Sequence, residues 1–153
     1  MVSIAIAGSA VHAASGTWDR AANIKDAASR LGALHRREGS PGVLKFLDAC
    51  YRTHMLASDF SKGLEACMAQ DFMHSQVLAS IYAKVPLEQR QKLDTPSPEL
   101  IASGMQQRFA AAFAQYQITI PEADAFKALV EKQGMPVFLK AVFPKSAKPQ
   151  GGK

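Results

Sequence analysis

Cys50 and Cys67 are the two cysteines of this chain, and their spacing limits what they can do. Redox catalysis favours Cys-x-x-Cys, which is absent, and a zinc site would need two further ligands at characteristic spacing. Two readings remain: a structural disulfide, or a pair of reduced cysteines packing as small hydrophobes. A helical turn is expected over residues 57–60, with Cys50 about seven residues before it and Cys67 about seven after. In an antiparallel helix pair, equal distances from the turn place residues at one height, so the sequence is read as a disulfide-stapled helical hairpin.

His54-Met55 and Met73-His74 offer imidazole and thioether, ligands that suit copper. The register argues against one shared site. His54 lies about four residues before the end of its helix, whereas Met73-His74 lies about 13 residues beyond the turn, so His54 and His74 stay low-ranked ligand candidates. Methionine as flexible core filler is the ordinary alternative. Asp71 and Arg108 both fall on or beside apolar stripes, where an isolated buried charge would be very costly. They form a candidate buried ion pair. The alternatives are an anion pocket at Arg108, or side chains that reach solvent from the helix edge.

Asp71, His74 and Ser75 do not make a catalytic triad, because neighbours on one helix face apart and no nucleophile elbow is present. The chain carries no phosphate loop, dinucleotide fingerprint, zinc-protease motif or haem-attachment motif. No cofactor and no metal are expected, and the balance of motifs leans away from an enzyme.

Residues 1–13 are apolar and small, closing on Val11-His12-Ala13, a pattern that signal peptidase accepts. No lysine or arginine precedes Arg20. The expectation is therefore a truncated signal peptide whose basic opening lies upstream, the alternative being an apolar segment that packs on the domain. Export to a bacterial periplasm, or secretion, would permit the disulfide.

The elements that must position these residues are helical. The 153-residue chain is 48% hydrophobic and 20% charged, which suits one domain with a real core. A first helix is predicted from Trp18 to about Arg37, capped by Thr17 and stopped by Gly39. Ser40-Pro41 restarts a second helix, which should end near Ala57. A third follows the turn at Ser58–Ser61 and runs to about Lys84, where Pro86 breaks it. A short helix is predicted over residues 87–93. Ser97-Pro98-Glu99 opens a strongly amphipathic helix with Ile101, Met105, Phe109, Ala112, Phe113 and Tyr116 in its stripe. Thr119 and Glu122 form a capping box for the next, with Gly134 as its C-cap and Pro136 starting a last short helix. No hairpin or sustained alternation appears. The expected fold is an all-α, compact bundle of five to six helices, with residues 14–144 as a single helical domain.

The net charge of +5 does not signal a nucleic-acid interface. Positive and negative charges cancel through Glu131, and the excess is five lysines: Lys132, Lys140, Lys145, Lys148 and Lys153. Residues 145–153 are read as a disordered basic tail, able at most to draw weakly on an anionic surface. No run is long and apolar enough to span a membrane. The function expected is that of a small exported, non-catalytic factor that binds another protein. The alternative is a ligand or copper-type carrier using the interhelical space, with His54, His74 and Arg108 as its candidate residues.

Overall fold

The computed structural model describes residues 17–145, all in helices and the turns between them. The leader expected over residues 1–13, and all of the basic tail but Lys145, lie outside the described residues. Six helices follow one another: α1 (Arg20–His54), α2 (Lys62–Ala83), α3 (Leu87–Lys92), α4 (Pro98–Gln115), α5 (Ile120–Leu129) and α6 (Met135–Val142). The fold is an all-α bundle. Among the described residues no helix is long and apolar enough to cross a membrane.

Local chemistry sets most boundaries. Ser61, Ser97 and Thr119 cap α2, α4 and α5 through their hydroxyl oxygens, and Glu122 closes the capping box with Thr119. The start of α1 differs from the sequence reading. Asp19, not Thr17, accepts the amide of Ala22 at 3.0 Å and caps the helix. Its charge suits the exposed N–H groups of the first turn better than a hydroxyl does.

Gly39 divides α1 into two legs. Its backbone sits at φ 66°, ψ −171°, a region open in practice to glycine alone. There the chain reverses. The first leg runs parallel to α2, since Asn23 bonds the Lys62 carbonyl, Gln70 bonds the Ala27 carbonyl and His74 meets Ser40. The second leg runs antiparallel, with Cys50 against Cys67 and His54 against Gly63. Gly39→Ala should cost about 1–3 kcal/mol, read as a lowered urea midpoint with unchanged m-value.

Every residue from Leu64 to Ser75 is buried, so α2 is the central helix rather than one face of a hairpin. The legs of α1 cover one side. On another, Phe109 of α4 stacks on Phe72 at 6.3 Å and meets Phe126 of α5 at 6.0 Å. Close helix approach depends on small residues, and a side chain at Gly32 would stand 2.5 Å from Ala141 of α6.

Gly134 does not cap α5, contrary to the sequence reading. The helix widens over Val130–Gly134 into one π turn and runs on into α6, the Met135 amide bonding the Val130 carbonyl. Pro136 gives the reason. Its missing N–H and bulky ring disrupt the ordinary i→i−4 ladder, and a wider turn absorbs both without ending the helix.

Candidate functional site

The two legs of α1 diverge from Gly39 across the first half of α2 and leave a groove between them, with a volume of about 730 Å³. Its chemistry follows from which face each leg turns inward. The first leg contributes Arg30, Leu34 and Arg37, and the second contributes Phe46, Cys50 and His54. Ala66 and Gln70 of α2 form the floor. Gln70 is tied down by a 3.0 Å bond to the Ala27 carbonyl, so it acts as framework. The walls combine an apolar strip with two guanidinium groups. Arg37 pairs with the neighbouring Glu38, but both are exposed, and such a pair contributes little.

Cys50 and Cys67 lie at disulfide distance, with Cα atoms 5.9 Å apart, near the end of the groove where α1 turns into α2. Cys50 is half-buried and Cys67 fully buried. His54, one helical turn beyond Cys50, lays its ring over Gly63, one turn before Cys67. A Cβ at position 63 would collide with that ring.

Asp71 and Arg108 meet beneath the second leg, outside the groove lining. The guanidinium donates two 2.7 Å bonds, one to each carboxylate oxygen. The Tyr51 hydroxyl adds 2.8 Å to one oxygen and the Ser75 hydroxyl 3.0 Å to the other. Burial first, then the Asp71 charge, push the Tyr51 phenol far above its ordinary range. The hydrogen bond to Asp71 raises Arg108 further. The carboxylate therefore spends its acceptor capacity on four bonds from three side chains and links α1, α2 and α4. This is a joint between helices, not a base with a free lone pair.

His74 lies elsewhere. Its Nε2 is 3.1 Å from the Ser40 hydroxyl, and its ring packs 6.4 Å from that of His35. Ser40 and His54 are 14 positions apart on α1, or about 21 Å of helix rise, so His54 and His74 share no site. Burial, with His35 adding to it, lowers the His74 pKa from 6.5 to about 4; Asp71 opposes the shift and Arg108 supports it. The folded chain therefore holds His74 neutral, while the unfolded chain protonates it below pH 6.5. Stability from this group is complete above pH 6.5 and lost as pH falls toward 4, by about 3 kcal/mol in all. His74→Gln should flatten that part of the dependence, read as the difference between wild-type and variant urea midpoints at pH 7 and pH 4.5.

Glu65 escaped the sequence reading. It is fully buried in α2 and accepts from Trp18 Nε1 at 2.9 Å, Asn23 Nδ2 at 3.1 Å and Arg20. The available signal was the spread of apolar residues around the whole circumference of α2, which leaves no solvent face for Glu65. The groove was missed as well, because it depends on the reversal at Gly39.

Comparison of the chain with family models, with curated proteins and with solved structures finds no match.

Proposed function

We propose that this is an exported, non-catalytic binding protein whose groove receives an acidic, amphipathic segment of a partner protein. The observation that carries this reading is the lining of the groove. Leu34 and Phe46 offer apolar contact, while Arg30 and Arg37 present guanidinium forks that match carboxylates. The two arginines are seven positions apart on one leg, about 10 Å. That span equals two turns of a partner helix laid in the groove, the usual geometry of helix-in-groove recognition. Phe46 is 39% exposed, an aromatic anchor left open at the rim. The apolar leader-like segment and the cysteine pair support the exported compartment.

A photocrosslinking phenylalanine analogue at position 46 tests the reading in cells that make the protein naturally. The reading expects a discrete adduct whose partner carries an acidic amphipathic segment, with the yield falling at least about tenfold when Arg30 and Arg37 are both changed to Glu. No adduct, or an adduct indifferent to the charge reversal, contradicts it. A carrier of soft metal ions is the second reading, and the observation that favours it is the grouping of His54 with the two cysteines.

A further inference from the structure

We infer that reduction of the Cys50–Cys67 pair uncovers a three-ligand site for a thiophilic d¹⁰ cation, Cu(I) or Zn(II), with His54 as the third ligand. The ligand atoms of Cys50, His54 and Cys67 all lie within 4.8 Å of one another. Their arrangement follows from two helical i, i+4 relations that face each other. Cys50 and His54 are one turn apart on α1, and Gly63 and Cys67 are one turn apart on α2. Residues so spaced lie on one helix face, so the two thiols and the imidazole converge on the same space.

Gly63 supports the site from the other helix. A Cβ there would come within 3 Å of several atoms of the His54 ring, so the missing side chain is the cradle in which the imidazole lies. Among the described residues neither ring nitrogen of His54 takes a hydrogen bond, and the ring lines the groove, which gives a cation a route in. Two thiolates and one imidazole are a soft donor set. They satisfy Cu(I) in trigonal coordination, or Zn(II) with a water from the groove as fourth ligand.

In the oxidised chain both sulfurs are spent on each other. A dithiol reductant would open the pair: the S–S bond takes two electrons and two protons, and the reductant closes its own disulfide. Cation binding then displaces the two thiol protons, while His54 binds through a neutral ring nitrogen. The chain would thus hold metal in one redox state and a covalent staple in the other.

The test uses the full chain under anaerobic conditions, oxidised and dithiol-reduced, titrated with Cu(I) and with Zn(II) against a chromogenic chelator. The reduced wild type should bind one equivalent and the oxidised form none at that site. In the reduced state, His54→Ala and Gly63→Ala should each weaken binding by at least about tenfold, the latter without removing a ligand. Arg30→Glu with Arg37→Glu should leave it unchanged, which separates this site from the peptide-binding reading. Equal binding by oxidised and reduced protein, or full affinity in both single variants, would overturn the inference. If reduction unfolds the chain, the cation must restore the helical circular-dichroism signal, and failure to do so overturns it equally.

Discussion

Asp71→Ala is expected to destabilise the folded chain by about 3 kcal/mol, roughly 10 °C in melting temperature for a domain of this size. Asp71 is 1% exposed, and its loss strands the Tyr51 and Ser75 hydroxyls where water does not reach freely. Arg108 is 43% exposed and can turn to solvent, so the screened ion pair supplies the smaller share. Two companion variants separate these shares. Tyr51→Phe should cost about 1 kcal/mol, because it removes one donor and leaves a carboxylate with two others. A cycle pairing Asp71→Ala with Arg108→Met should show coupling of about 1–2 kcal/mol. Additive losses would mean that Asp71 and Arg108 do not interact in solution.

Opening the staple is the other large effect. Cys50→Ala should lower stability by about 3 kcal/mol under oxidising conditions, the value for closing a loop of this length in the chain-entropy model. Position 50 is the better one to change because it is half-buried, whereas a change at fully buried Cys67 would add a packing defect. Reductant should bring the wild type down to the level of the variant and leave the variant unmoved. A melting temperature equal to wild type would show that the cysteine pair contributes no constraint.

Both effects sit on features that short-range reasoning reaches. Helix caps at Ser61, Ser97 and Thr119 are legible because the side chain and the amide it accepts are three residues apart. The facing of Cys50 and Cys67 is legible because a helical hairpin has a simple register. Asp71 and Arg108 draw notice as charges on apolar stripes. The groove is different in kind. Its width depends on the φ and ψ of Gly39, and a glycine announces a stop without giving the direction in which the chain leaves. Gly63 reads as a weak helix former until the His54 ring is seen over it. Glu65 looks like an ordinary charge in a first turn until α2 proves to be enclosed on all sides. Pro136 announces a break, but the Val130–Gly134 π turn lets the helix continue, and position 134 lies close against Ile24 and Met73, where only glycine fits without a shift.

Mapping the thiols in protein taken from cells that make it naturally is the most direct test of the covalent link. Alkylation without reduction, digestion and mass spectrometry should yield one peptide containing Cys50 joined to another containing Cys67. Recovery of both residues as separate alkylated peptides would contradict the covalent link between α1 and α2, and with it the oxidising compartment in which the groove is proposed to work.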